Sequence, residues 1–454
     1  MTRSPRSAAL VWYPVTATAV AALALAVACA GPREAAEPVM LPGTGMEAEP
    51  VVPDEAVAET VGEPRAGEMA AGEEWTEAER AKVLRGRRLT IQHACGGCHG
   101  GGDDPSAENW LVGLTSPEQE FDICVPGAAD DAEPVCYRTR PRNLTPDNIT
   151  GMGRFSERQI FNSLRYGLRP GETEDVEITS MTPGEGHFPE HPKFLAPPMP
   201  WPAWRHMTDD ELWAIAAYLK RGVKPVRNVV EDSEGPVDFW ASLYGRFLPP
   251  YPAVAFPTAR ETEPPPDVDR EQVLRGRQVV IEHDCGACHG GGVDPAADNW
   301  LVGVTSPREE FPLGDCVVDP EATPCYIQRP RNLTPDEATG IGGYTDRQLF
   351  NALRYGLRPS ETPDVEITST IPGEGGHPAN PHYLGPGMPW PEWRHIPDPD
   401  IRAAIAYLKH GLKPVENEVA DSDAPEDFWA SRFAPGEIGS WPAPPFPTER
   451  EVGG

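Results

Sequence analysis

Two five-residue runs of this chain share the pattern C-x-x-C-H: Cys95–His99 and Cys285–His289. Two cysteines at this spacing can reach the two vinyl-derived carbons on one edge of a porphyrin, and the histidine that follows can reach the iron. The pattern is typical of covalently attached haem c, so the sequence predicts two haem c groups. The cysteines expected to form thioether bonds to the haem are Cys95, Cys98, Cys285 and Cys288. The expected axial iron ligands include His99 and His289.

A single run of this kind is also compatible with half of a zinc site or with a redox-active dithiol. A zinc site needs four ligands, and the next cysteine after Cys98 is Cys124, in a different kind of segment. Because two runs occur in matching contexts, the sequence favours haem over zinc.

The two runs lie in segments of the chain that repeat each other. VLRGR at 83–87 returns at 273–277, and RPRNLTPD at 140–147 returns at 329–336. NWLVG, LRYGLRP, MPWP and FPT are repeated in the same order. The repetition predicts two similar domains, at 75–262 and 263–454.

Helix signals recur at matching places in both repeats. Thr76 with Glu79 forms a capping-box pattern before the first run, and Thr208 with Glu211 begins a segment with apolar residues at i, i+3, i+4 and i+7. Gly86 in the first of these helices would let the last helix, with Tyr218, approach closely. The predicted fold class is mainly α: two tandem helical domains with long loops.

These motifs, in this order, resemble the class I cytochrome c domain: RGR, C-x-x-C-H, N-L-T-P-D, R-x-G, M-P and A-Y-L. More narrowly, the chain is similar to the multi-haem cytochrome subunits of periplasmic alcohol, aldehyde and sugar-acid dehydrogenases. The resemblance implies a cytochrome-c-like fold in both domains and an electron-transfer function.

A low-spin haem iron needs a second axial ligand, and the thioether of methionine raises its reduction potential. Among nine methionines, Met199 and Met388 alone are matched between the repeats, in P-x-M-P-W, where the family carries this ligand. They are the predicted sixth ligands, with core packing as the alternative. His206 and His395 are also matched and are the competing ligands, although capping or pairing at the start of the last helix is the favoured role for them.

Two further pairs of residues have candidate roles beside the haem. Arg142 and Asn143, with their equivalents in the second repeat, suit contacts to haem propionates, and a solvated turn is the alternative. Trp201 and Trp390 suit the wall of a haem pocket, and core packing is the simpler account.

The N-terminus predicts export from the cytoplasm. Arg3 and Arg6 precede an uncharged, alanine-rich run, so residues 1–29 are predicted to be a secretory signal. Its end, Ala26–Cys29, fits a cleavage site and also a lipobox in which Cys29 is lipidated; an uncleaved anchor is a third alternative. Residues 30–74 are acidic and rich in Ala, Pro and Gly, which predicts a disordered tether.

The remaining cysteines fall into two pairs in matched Pro/Asp/Gly-rich segments, and we expect two disulfides after export. These pairs are Cys124 with Cys136 and Cys316 with Cys325.

The formal net charge of −31 disfavours nucleic acid and anionic lipid as partners and favours redox proteins with a basic docking face. Membrane contact is expected only through an N-terminal lipid anchor, on the periplasmic side of a bacterial envelope. The favoured function is that of a di-haem electron carrier with no catalytic residues. The alternatives are a di-haem enzyme such as a peroxidase and a haem-based redox or gas sensor.

Overall fold

The computed structural model describes residues 74–125, 135–234, 244, 248, 250–314, 325–385, 387–422, 433 and 438–453. The predicted signal, the predicted tether up to residue 73, Cys29 and Cys316 lie outside the described residues. The described part is mainly helical, as the sequence predicts, and its α-helices fall into two series of five. The first series is α1 Glu77–Gln92, α2 Cys95–His99, α3 Glu157–Tyr166, α4 Trp201–Trp204 and α5 Asp209–Ala217. The second series is α6 Arg270–Glu282, α7 Cys285–His289, α8 Asp346–Tyr355, α9 Trp390–Trp393 and α10 Asp398–His410.

The predicted capping boxes fix where the long helices begin. The Thr76 side chain accepts a hydrogen bond from the Glu79 main-chain N–H, and the Glu79 carboxylate accepts from the Thr76 N–H at 2.9 Å. The same reciprocal pair begins α3, α5 and α8. Helix α3 ends at Gly167, whose φ of 70° is the left-handed conformation that glycine adopts without strain.

The first and last long helices of each series cross at a glycine, as predicted. A Cβ on Gly86 of α1 would lie 2.8 Å from the Cβ of Tyr218, directly after α5, and a Cβ on Gly276 of α6 would lie 2.9 Å from that of Tyr407 in α10. Since real Cβ atoms essentially never approach this closely, only glycine allows the two helix axes to come together here.

Two short antiparallel hairpins lie in the Pro/Asp/Gly-rich segments that hold the cysteine pairs, where the sequence predicts long loops. Strand β1 Phe121–Val125 pairs with β2 Val135–Thr139, and β3 Phe311–Gly314 pairs with β4 Cys325–Gln328. In the first hairpin Cys124 and Cys136 are direct register partners. The hairpins therefore bring the two ends of each cysteine-containing segment together.

Two extended segments connect the halves reciprocally: the first strap, residues 253–262, and the second strap, residues 443–452. Ala253 and Phe256 of the first strap pack against the core formed by α6 and α10. Ala443 and Phe446 of the second strap pack against the core formed by α1 and α5. Each strap thus follows one repeat in the chain and packs against the other.

A buried glutamate anchors each strap. Glu451 of the second strap accepts hydrogen bonds from Arg87 Nε and from the Tyr218 hydroxyl, both at 2.6 Å. In the first strap Glu261 accepts the equivalent bonds from Arg277 and Tyr407, again at 2.6 Å. Both carboxylates are fully buried. These interactions tie the end of the chain to the helix that begins the first repeat.

Within the described residues, no helix is both long enough and apolar enough to span a lipid bilayer.

Candidate haem sites

Each C-x-x-C-H run folds as a single helical turn directly after a long helix. Helix α2 follows α1 through Ala94, and α7 follows α6 through Asp284, both in the left-handed conformation with φ of 54° and 55°. Residues three apart on a helix lie on the same side. The two thiols of each run are therefore on one side of the helical turn, as attachment to one edge of a porphyrin requires. All four thiols are free and partly buried.

The ring of each motif histidine is held by a main-chain carbonyl. His99 Nδ1 lies 2.7 Å from the carbonyl oxygen of Arg142, and His289 Nδ1 lies 2.7 Å from that of Arg331. A carbonyl only accepts, so Nδ1 carries the proton and Nε2 keeps its lone pair. Burial lowers the pKa of both histidines, which favours the neutral form. This tautomer and orientation are those of a metal-ligating imidazole.

A turn with no room for a side chain aims the Arg142 carbonyl at the histidine. The Gly113 N–H donates to the His99 carbonyl at 2.7 Å, and a Cβ on Gly113 would lie 2.7 Å from the carbonyl carbon of Arg142. The Asn143 side chain, which is 1% exposed, accepts from the Thr145 N–H at 2.9 Å and donates to the Val226 carbonyl at 2.7 Å. The N-L-T-P-D motif is therefore the scaffold that orients the histidine.

This geometry excludes the solvated turn considered for Asn143 and shows that Arg142 holds the histidine through its main chain. Because Asn143 and its equivalent Asn332 are buried and bonded to protein, neither is part of a solvated turn. The Arg142 side chain pairs with Asp232 at 2.5 Å. Its contribution to the histidine is made by its main chain, so the position does not require a particular side chain.

Met199 and Met388 lie at equivalent places on the edges of the two cores. Met199 and Cys95 are both partly buried and pack against the core of α1 and α5. Met388 and Cys285 pack in the same way against the core of α6 and α10. The structure therefore brings each predicted thioether ligand to the same core as the haem-attachment run of its own half. That they bind iron stays a prediction.

The unmatched Met207 has a packing role. It is 1% exposed and lies inside the first core, and Ile396 occupies the equivalent place in the second. An apolar residue without sulfur fills the same place, so packing is sufficient to account for Met207.

His206 and His395, the competing candidates for the sixth ligand, are each close to an aromatic or acidic side chain. His206 lies 5.5 Å, ring centre to ring centre, from Tyr251. His395 Nε2 lies 4.0 Å from a carboxylate oxygen of Asp103 in the other half of the chain. Burial and then the neighbouring arginines lower their pKa values, to about 4 for His206 and about 3 for His395. Neither makes the hydrogen bond to the start of the last helix that a capping role requires, because Thr208 and Pro397 occupy the N-cap positions.

The two tryptophans form part of a secondary core. Trp201 is fully buried and stacks on Phe194 with a ring separation of 5.4 Å, and Trp390 stacks on Tyr383 at the same separation. Met199 is partly buried against the same cluster as Trp201. Core packing, the simpler of the two predicted roles, accounts for these contacts.

The donor set of each half fits a covalently attached haem. Two thiols on one helical turn, an imidazole whose Nε2 is left as an acceptor, and a methionine at the same core are the groups that this cofactor takes. Burial raises the pKa of Cys95 to about 12 and that of Cys98 to about 11.

Comparison with known proteins supports the family resemblance. The chain is 25% identical, over 76% of its length, to the gluconate 2-dehydrogenase cytochrome c subunit of Pantoea cypripedii. It is 27% identical, over 73% of its length, to the fructose dehydrogenase cytochrome subunit of Gluconobacter japonicus. It is 24% identical, over 60% of its length, to the cytochrome c subunit of the quinone alcohol dehydrogenase of Komagataeibacter europaeus.

The chain spans 64%, 53% and 47% of the lengths of these three relatives. No family model matches the chain. The relatives are named as cytochrome subunits, which makes them electron-transfer rather than catalytic components of their dehydrogenases. The chain is thus similar to the cytochrome subunits of sugar, sugar-acid and alcohol dehydrogenases, and the sequence motifs predict the sugar-acid and alcohol dehydrogenases among these.

Proposed function

We propose that this chain is a di-haem c-type cytochrome that carries single electrons between a periplasmic donor and an acceptor. The donor is a dehydrogenase or a quinol-linked complex. The observation that carries the proposal is the pair of equivalent sites, in each of which an imidazole Nδ1–H donates to a main-chain carbonyl directly beside two free thiols.

In the first site Cys95 and Cys98 would attach the haem, and His99 and Met199 would bind the iron. In the second site Cys285, Cys288, His289 and Met388 would have the same roles. Bound haem supplies one-electron Fe(III)/Fe(II) chemistry. The protein holds the imidazole in one tautomer and buries it.

The equivalence of the two sites favours a carrier over the enzyme alternative. A di-haem peroxidase needs one iron with an open position and an acid or base above it, whereas both halves carry a methionine at the same place. The relatives point the same way, because each matches as a cytochrome subunit of a dehydrogenase. The boundaries 75–262 and 263–454 are part of this proposal as the limits of the two sequence repeats, each of which ends in a strap that packs against the core of the other.

We also propose that each hairpin is closed by a disulfide. Cys124 and Cys136 are direct register partners in β1 and β2, and Cys136 is not among the free thiols. The second pair, Cys316 with Cys325, is proposed from the repeat, with Cys325 at the start of β4. Such bonds fit an exported protein.

Export and docking complete the proposal. The signal at 1–29 would deliver the protein to the periplasm, where lipidation of Cys29 would anchor it through the acidic tether. A net charge of −31 favours a redox partner with a basic docking face.

The test is the optical spectrum of the holoprotein and of the variants Met199→Ala and Met388→Ala. The wild type should contain two haems per chain and show the thioether-to-iron absorption band. Each variant should lose about half of that band and lower the reduction potential of one haem, because a methionine ligand raises the potential. Met207→Ala is the matched control and should keep the full intensity of the thioether-to-iron band.

Carbon monoxide binding distinguishes an electron carrier from a haem enzyme. A six-coordinate carrier should bind carbon monoxide poorly at both ferrous haems, and rapid stoichiometric binding by the wild type would overturn the carrier proposal. Unchanged spectra in both methionine variants would transfer the ligand assignment to His206 and His395.

A further inference from the structure

The two halves meet at a pair of histidines that no haem role uses. His93 follows the last residue of α1, and His283 follows the last residue of α6. Their rings stack with centres 4.3 Å apart and planes at 26°. Each ring also has a tryptophan at its edge, Trp204 for His93 and Trp393 for His283. The histidine pair is therefore enclosed by contacts from both halves.

Three buried polar atoms at this contact have no hydrogen-bond partner among the described residues. They are His93 Nε2, His283 Nε2 and Glu282 Oε1. His93 is 8% exposed and Glu282 is fully buried. A buried polar atom without a partner costs free energy, so three such atoms on adjoining residues point to a ligand that binds them.

The tautomer of His283 is suited to binding a cation. Its Nδ1 lies 3.0 Å from the carbonyl oxygen of Val279, which can only accept, so Nδ1 carries the proton. The lone pair on Nε2 is then free to bind. A ring nitrogen fixed by a carbonyl while the other faces outward is the usual arrangement of a metal-ligating histidine.

We propose that His93, His283 and Glu282 bind one divalent transition-metal ion of the zinc type at the contact between the halves. One ligand atom from each of the three residues lies within 4.8 Å of the other two. Two imidazole nitrogens and one carboxylate oxygen are a common zinc ligand set, whereas Mg²⁺ and Ca²⁺ take oxygen ligands. The Gln92 side-chain oxygen, also buried without a partner, or a water molecule supplies the fourth position.

The surrounding charges are compatible with a cation. The Arg275 guanidinium lies 3.6 Å from Glu282 Oε1. It is already engaged by Asp400 at 2.8 Å and by Glu211 at 3.3 Å. Burial raises the pKa of Glu282 to about 8, so a metal ion that binds this carboxylate would displace its proton.

A cavity lies beside the residues that adjoin the cluster. It has a volume of about 380 Å³ and lies between α1, α5, α6 and the start of α10, with Gln92 and Arg275 in its lining. Gln92 directly precedes His93 in the chain. The cavity is large enough to admit a hydrated ion.

The test is zinc binding by the haem-loaded protein. The protein is dialysed against a chelator, titrated with Zn²⁺, desalted and analysed for zinc and iron. We expect one tightly held zinc per chain in the wild type, and a loss of affinity of at least about tenfold in His93→Gln, His283→Gln and Glu282→Gln. His377→Gln replaces a buried histidine outside the cluster and should keep wild-type affinity.

X-ray absorption at the zinc edge then identifies the ligands. Two nitrogens and one or two oxygens at about 2.0–2.2 Å are expected. Zinc lost on desalting, or bound equally well by all the variants, would show adventitious surface binding and overturn the proposal. The assay counts zinc and does not measure electron transfer, so its failure and that of the proposed function are distinguishable.

Discussion

Removal of the Glu451 carboxylate should loosen the first half of the molecule, although Glu451 lies at the far end of the chain. In Glu451→Ala the guanidinium of Arg87, 9% exposed, keeps only the Pro444 carbonyl at 2.8 Å, and the buried Tyr218 hydroxyl loses its acceptor. Breaking a buried ion pair by removing one partner costs about 3–5 kcal/mol. Glu451→Gln keeps an acceptor for Tyr218 and should cost less, about 1–3 kcal/mol.

The loss of stability in Glu451→Ala should be confined to the helices that the second strap contacts. Hydrogen exchange of the haem-loaded protein, read by mass spectrometry, should show weaker protection in α1 and α5 and unchanged protection in α6 and α10. Glu261→Ala is the matched control and should give the reverse pattern, since Glu261 pairs with Arg277 and Tyr407. Guanidinium unfolding gives the free energy for each variant.

Two outcomes would refute this reasoning. The first is a change in unfolding free energy below about 0.5 kcal/mol, the size expected for a surface substitution. The second is weaker protection in α6 and α10 of Glu451→Ala, which would mean that the second strap packs against its own half.

Two further predictions follow from the haem sites and their neighbours. Arg142→Ala should leave the haem spectrum and reduction potential unchanged, because the carbonyl that holds His99 belongs to the main chain; the lost pair with the exposed Asp232 is worth less than about 1 kcal/mol in thermal unfolding. For His395, burial lowers the pKa to about 3, so stability that is present above pH 6.5 is lost as the pH falls toward 3. His395→Gln should remove about 1–3 kcal/mol of the difference in unfolding free energy between pH 7 and pH 4.5, and an unchanged pH dependence would contradict this.

The sequence predicts the parts of the fold that local chemistry determines. Capping boxes such as Thr76 with Glu79 define helix starts through hydrogen bonds three residues apart, so they can be recognised without tertiary information. The close approach of Gly86 and Tyr218 is also recognisable, since a repeated glycine and a repeated aromatic residue occur in two predicted helices. The haem-attachment runs are local in the same sense.

The features of the fold that the sequence does not predict depend on contacts between residues far apart in the chain. The repeated F-P-T segment looks like the end of its own module, yet Glu451 pairs with Arg87, 364 residues away. The hairpins were missed because their strands border segments rich in Pro, Gly and Asp, which favour turns. The role of Asn143 was missed for another reason: its partner, the Val226 carbonyl, lies in a segment without helix or strand signals.

The reciprocal straps bear on the proposed electron transfer. Two haem domains joined by a flexible linker would change their separation continually, and exchange between the haems would depend on chance encounters. Here the stacked pair His93 and His283 stands two residues before Cys95 and Cys285, and buried ion pairs anchor a strap on each side. The two C-x-x-C-H runs are therefore held at a fixed separation, which suits the proposed exchange of electrons between two haems.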